Sequence, residues 1–169
     1  MNTFILKPIN HIKYSWISLM YLLLVPFVFI FTGEFDILTF IILWTVSGLF
    51  YFWGLKLHYT YYKLDNNKSI TIDEALNVTI SNNLDIISFC LNELDCIINV
   101  HSGLQNRTPW NDYNFSIFKL KNGAEYSVTC LILDLNEIEK LFPKEVIVKK
   151  NVFYSSLKIH NSKFNIQNS

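Results

Sequence analysis

Two stretches without a single charged residue, Tyr14 to Thr32 and Ile37 to Leu55, dominate the first third of the chain, and only Gly33, Glu34, Phe35 and Asp36 part them. Soluble core helices are apolar along one stripe, whereas Leu22, Leu23, Leu24, Val25 and the run from Phe27 to Phe31 leave no polar face. At ~1.5 Å rise per residue, each run of about 19 residues covers nearly all of a hydrocarbon layer of about 30 Å. The pattern predicts a transmembrane helical hairpin over 14–55. A cleaved signal peptide fits poorly, because no small-residue cleavage site follows Phe31 and a second span begins almost at once.

Flanking residues set an orientation. Lys7, His11 and Lys13 precede the first span, Glu34 and Asp36 occupy the turn, and Lys56, His58 and Lys63 follow the second. Basic residues favour the cytoplasmic side, which places both termini inside; Tyr14 with Trp16 and Tyr51 with Trp53 then fall at the same inner interface. Pro26 is expected to kink the first helix, and Ser47, Gly48 and Gly54 to let the two helices approach closely. No acid, base or histidine lies inside either span, which argues against a transporter or pump.

Beyond the spans the period changes to two. Residues 1–13 read as a short cytoplasmic lead, and Tyr59 to Leu64 as a Tyr-rich strand followed by a turn at Asp65, Asn66 and Asn67. Alternation continues around Ile70 and Ile72, around Val78 and Ile80, and through 85–90, 95–102, 113–120 and 124–131, giving about seven short strands. Asn122-Gly123 marks a tight turn, after which Ala124, Tyr126, Val128 and Cys130 share one face. A helix should follow: Asp134 is an N-cap, Glu137 stands three residues on, and Leu135, Ile138, Leu141 and Phe142 form an apolar stripe ended by Pro143. The fold class is therefore α+β, a helical hairpin followed by a small antiparallel β-barrel or sandwich capped by a C-terminal helix.

The Lys-Asn-Gly turn, the strand ending Val128-Thr129-Cys130-Leu131, and the capped helix from Asp134 to Phe142 resemble a pleckstrin-homology-like (PH-like) domain. The resemblance covers roughly 59–142 and assigns 56–158 to a cytoplasmic PH-like domain, leaving 159–169 as a disordered tail. Bacterial forms of this fold often follow transmembrane helices, so the resemblance implies a bacterial inner-membrane protein. Phosphoinositide-binding versions cluster Lys and Arg on the first strands; here only Lys63 and Lys68 stand there, and that specificity is not implied.

Charge and chemistry narrow the function. Formal charge is zero, from 14 basic and 14 acidic residues, which opposes a nucleic-acid polymer as partner. Acids dominate 64–139, whereas Lys144, Lys149, Lys150, Lys158 and Lys163 oppose Glu145 alone after Pro143; Lys144, Lys149 and Lys150 are candidate contacts for anionic lipid. A strand over 145–157 packing on the barrel is the competing reading. Arg107, Trp110 and Asn111, in the loop over 103–112, form a candidate protein-binding loop, although Trp110 could simply cover the barrel end. Cys90, Cys96 and Cys130 lack metal-type spacing and read as small apolar residues. No phosphate loop, nucleophile elbow or paired-histidine zinc motif is present, so no catalytic, cofactor-binding or metal site is assigned and an enzyme is not expected. The best reading is a membrane-tethered, non-catalytic module that holds its β-domain at the inner leaflet for a protein partner. The alternative is a two-span effector whose barrel senses a small molecule or nucleotide, the broad plan of some bacterial antiphage effectors.

Overall fold

The computed structural model describes residues 1–33, 36–83, 85–102 and 110–152, and of residues 17, 21 and 102 the backbone alone. The elements are β1 (Asn2–Ile5), α1 (Pro8–Thr32), α2 (Ile37–Asp65), β2 (Lys68–Ile72), β3 (Val78–Asn82), β4 (Asp85–Phe89), β5 (Leu94–Ser102), β6 (Asn114–Leu120), β7 (Glu125–Thr129), α3 (Leu135–Leu141) and β8 (Ile147–Val152). Their strands form two four-stranded sheets, ordered β1-β2-β3-β4 and β7-β6-β5-β8. β8 runs parallel to β5, and the other pairings are antiparallel. The expected barrel is not closed. β5 spends one edge on β6 and the other on β8, so it has no edge left through which β4 could join the sheets.

The largest departure from the sequence reading lies at residues 2–5. The sequence pattern reads them as part of a lead, yet they form β1 and pair with β2, Asn2 facing Ile72 and Ile5 facing Ser69. Both long helices are thus inserted between two neighbouring strands of one sheet. Pro8 starts α1, where its missing N–H costs nothing, and Gly33, at φ 69°, ends it in the left-handed conformation that glycine adopts without strain. Asp36 caps α2 by accepting the Leu38 and Thr39 amides.

α1 and α2 lie antiparallel, with Phe29 edge-on to Phe40 at one end and His11 against His58 at the other. Their outer parts turn large apolar side chains outward on every side; Leu23, Phe27, Phe31, Ile41, Leu49 and Phe52 are all exposed. α2 is long and apolar enough by itself to cross a membrane. α1 meets that measure when Pro8–Trp16 and Ser18–Thr32, bent by 42°, count as one span. This bend lies near residue 17, and α1 runs on through Pro26 to Thr32. The first turns of α1 are tied to the β-domain through Asn10 and Tyr14 while the rest follows α2, and the bend comes where these constraints meet. Gly54 is buried in α2, and a methyl group added at Gly48 would meet nothing within 4 Å, so no close contact forms at Gly48 itself.

The expected strand over 59–64 is instead the last turns of α2. Gly54, Leu57, Tyr61 and Asp65 are buried at helical spacing, and docking this face on the second sheet outweighs the β preference of the tyrosines. α2 therefore passes from exposed apolar surface into the domain core without a break.

Two cores result. Ile70, Ile72, Ile97, Phe118, Val128 and Ile138 fill the first, between the sheets and α3. The second lies on the other face of the β7-β6-β5-β8 sheet, where Tyr61 and Leu57 of α2 meet Val100, Tyr113 and Phe115. That sheet is covered on both faces, not half-buried as its alternation suggests. α3 starts and stops as expected, with Asp134 accepting the Asn136 amide at 3.4 Å. At the β6–β7 turn only Gly123 has positive φ, 87°, and its amide donates to the Leu120 carbonyl, a turn of the three-residue kind. β8 occupies part of the expected 145–157 strand; 153–157 and the tail over 159–169 lie outside the described residues.

Candidate functional site

The helix base is joined to the β-domain by polar contacts set around the second core. Asp65, the last residue of α2, is fully buried. Its Oδ2 accepts the Thr129 amide at 3.0 Å and the Thr129 hydroxyl at 2.6 Å, and its Oδ1 accepts from Lys68 Nζ at 3.4 Å. Burial pushes the Asp65 carboxyl above the usual range, against the pull of Lys68 and Thr129. Lys68 also donates to the Ser127 carbonyl at 3.1 Å. This lysine, one of only two basic residues expected on the early strands, is engaged inside the protein.

On the other side of the base, Asn10 Nδ2 donates to the Leu131 carbonyl at 2.7 Å, and the Tyr14 hydroxyl and Lys13 Nζ reach Asp134 Oδ2 at 2.8 and 3.0 Å. Burial raises the Asp134 carboxyl, but these donors overcome it and hold the group below its usual range. Cys130 is buried beside Tyr14, and desolvation pushes its thiol up, so it is inert rather than nucleophilic.

A third contact runs through the helices themselves. His11 Nδ1 lies 2.9 Å from His58 Nε2, and His58 Nδ1 lies 2.9 Å from the Tyr113 hydroxyl. Burial, reinforced by the neighbouring His11, lowers the His58 pKa to about 4. A neutral His58 can accept at one nitrogen and donate at the other, which satisfies both neighbours.

Beside this chain a groove of about 590 Å³ opens, lined by His11, Phe52, Leu55, Lys56, His58, Tyr59 and Tyr62. It spans the level at which α2 changes from exposed to buried. Its surface is almost wholly apolar, since the His11 and His58 rings turn nitrogens toward each other and toward Tyr113. The sequence pattern uses both histidines only as residues that flank the two apolar runs. The signal was available: Leu55, His58, Tyr59 and Tyr62 follow the i, i+3, i+4, i+7 spacing of one helix face, but a strand over 59–64 splits that face.

The residues singled out from the sequence fall elsewhere. Arg107 lies outside the described residues. Trp110 is 7% exposed and stacks on Phe50 of α2, with ring centroids 6.0 Å apart, while Asn111 is half-buried beside it in the turn before β6. Trp110 therefore belongs to the junction of helix and domain. Lys144 is exposed in the single turn before β8 and lines a small groove with Glu139, Ile147 and Lys149. Lys149 pairs with Glu139 at 2.8 Å, and Lys150, also exposed, follows it on edge strand β8, so the two project to opposite sides of that strand. The three lysines do not form one cluster. Among the described residues no group of three His, Cys, Asp or Glu side chains is arranged to hold a metal ion.

No curated protein and no solved structure matches the chain. A family model described as a PH domain matches residues 3–141, from β1 through both long helices to the end of α3. The matched stretch takes in both sheets except β8 and ends with α3, and the chain belongs to this PH-domain family.

Proposed function

We propose that this PH domain is a non-catalytic interaction module carried in the membrane by its own inserted helices. α1 and α2 cross the bilayer as a hairpin, both termini and the β-domain lie on the cytoplasmic side of a bacterial inner membrane, and the domain is held against that surface to bind a protein partner. The carrying observation is the continuity of α2, which passes from outward-facing apolar residues to a face packed on the β core with no linker between them. A contiguous apolar surface of this extent is costly in water and unremarkable in lipid. The interior favours a binding module over a ligand-gated effector: the described residues between the sheets pack as a continuous apolar core, and Lys68 is held by Asp65 and Ser127. Partner binding falls to the exposed edges, including Ile86 on edge strand β4, at 73% exposure, and to Arg107, which lies outside the described residues. Lys144 and Lys150 supply supplementary contact with anionic lipid.

Sidedness tests this reading. Alkaline carbonate should leave the protein in the membrane pellet. A membrane-impermeant maleimide applied to spheroplasts should label Asp36→Cys and reach Glu74→Cys only after lysis. Release by carbonate, or equal labelling of both positions in intact spheroplasts, would refute the hairpin.

A further inference from the structure

The outer face of the β1-β2-β3-β4 sheet, turned away from the first core, carries no charge. Lys68 and Asp85 are the charged residues of its four strands, and both alternate to the core side with Ile70, Ile87 and Phe89. Two rows are left outside. Register sets Thr3, Thr71, Thr79 and Ser88 side by side in one, and Ile5, Ser69, Ser81 and Ile86 in the other. We propose that a second copy of the chain packs on this face, sheet against sheet, about a twofold axis that runs along the strands. This names the protein partner of the reading above, and it rests on α1 and α2 forming a membrane hairpin.

The second row is the first argument. Ile-Ser-Ser-Ile reads the same from either edge of the sheet, so the rotation sets Ile5 against Ile86 of the second copy and Ser69 against its Ser81. Both isoleucines are open to contact, Ile5 at 49% and Ile86 at 73% exposure. In the first row the hydroxyls are already paired: Thr3 Oγ1 lies 3.4 Å from Thr71 Oγ1, and Thr79 Oγ1 lies 2.9 Å from Ser88 Oγ. A hydroxyl that keeps a partner is cheaper to take out of water than one that loses its bond.

Charge is the second argument. Acids dominate 64–139, so two copies repel over much of that surface and meet without the penalty on an uncharged face. The same face offers no cation to a polyanion and no carboxylate to a basic peptide.

Symmetry is the third. β1 ends and β2 begins where the helices join the sheet, so the Ile5 row lies at the helix end of the strands. A twofold axis along the strands keeps both helix ends together, as insertion in one membrane requires. Antiparallel pairing of two β4 edges would send them opposite ways. With about 4.8 Å between strands and about 7 Å between neighbours on one face, the contact covers a few hundred Å², less than the roughly 800 Å² per partner of a standard interface. Such a contact is weak in dilute solution, and confinement in a membrane supplies the local concentration it needs.

The test co-expresses two differently tagged copies of the full chain, both with Cys90→Ser and Cys96→Ser and with the buried Cys130 kept. Native membranes are treated with a short bis-maleimide. Ile5→Cys in one copy and Ile86→Cys in the other should give a joined dimer several-fold stronger than either variant with itself, because like positions stand about 14 Å apart across the axis. Thr79→Lys in both copies should abolish the product by placing an unpaired charge at the centre of the contact. Thr79→Lys in one copy against Thr71→Glu in the other should restore it, which separates loss of contact from loss of fold. Lys121→Glu, in the β6–β7 turn, should change nothing. No joined dimer, equal joining of Ile86→Cys to itself, or a product that survives Thr79→Lys overturns the proposal. Joining of Ile86→Cys to a different protein in place of the second copy overturns it in favour of a hetero-partner. Carbonate extraction of the same chains separates the two ideas: release from the pellet refutes the hairpin and this inference with it, whereas a chain that stays and does not join refutes the inference alone.

Discussion

The two cores of this molecule are built from different materials. Between the sheets, Ile70, Ile72, Ile97, Phe118, Val128 and Ile138 bring carbon to carbon. Under the helices, Tyr14, Tyr61, Trp110, Tyr113 and Cys130 bring side chains with polar ends; Asp134 accepts from Tyr14, His58 meets Tyr113, and Asp65 holds Thr129 beside them. Apolar burial has little directional preference, so it compacts a domain without dictating angles. Hydrogen bonds at fixed points do dictate angles, because a buried polar group displaced from its partner loses free energy outright. The first core makes the β-domain, and the second sets how the helices stand on it.

Mutations that strike one core and spare the other should separate these roles. Phe118→Ala should have the largest effect, costing about 4 kcal/mol as a large cavity opens between sheets and helix. Thermal unfolding of the chain in nanodiscs would show an early loss of β signal with the helical signal retained. Asp65→Ala should cost about 3 kcal/mol, since it orphans the buried Thr129 amide and leaves Lys68 without its anion. Here amide exchange should accelerate first at Thr129 and in the last turns of α2, with the amides around Phe118 still protected. If both variants lose the same amides at the same rate, the cores are one cooperative unit and the distinction fails.

Smaller effects sharpen the contrast. Tyr113→Phe removes the hydroxyl that meets His58 and should cost roughly 1–2 kcal/mol. The same histidine makes the junction sensitive to acid. Unfolded, its imidazole takes a proton near pH 6.5, whereas in the folded chain it does so only near pH 4. Between those values the unfolded state binds more protons, so its contribution to stability is intact above pH 6.5 and declines as the pH falls toward 4. His58→Gln should flatten that part of the profile of melting temperature against pH, and a profile as steep as the wild type would dissociate the effect from His58. Lys149→Ala, which breaks an exposed pair with Glu139 away from both cores, should change stability by less than about 0.5 kcal/mol.

The parts legible in the sequence were those whose cause is local. Unbroken apolarity marked both long helices, alternation marked β2 through β7, Gly123 marked a turn, and Asp134 with Pro143 bracketed α3. The resemblance carried by the β7–α3 unit was upheld at the level of family. What escaped was decided at a distance. Nothing in Asn2 to Ile5 announces that its partner strand lies beyond two helices, and nothing in Tyr59 to Leu64 says that a sheet face awaits it. The groove escaped for the same reason, since its lining becomes one surface only when α2 continues past Leu55 and His11 is brought across from α1. Trp110 was noticed for its chemistry, but its contact with Phe50 depends on that same continuation.

The placement of β1 also governs the order in which the protein can be assembled. A ribosome delivers β1 first, then both long helices, and only afterwards the strand with which β1 pairs. In water, joining Ile5 to Ser69 would mean closing a long loop, with the entropy and delay that distant contacts carry. Antiparallel packing of α1 and α2 shortens that search, because His11 and His58 are already within hydrogen-bond distance and the two ends of the insertion arrive side by side. Pairing of the two helices then becomes a folding step for the first sheet: a chain whose helices fail to pair would present β2 with an empty edge, open to a neighbouring copy.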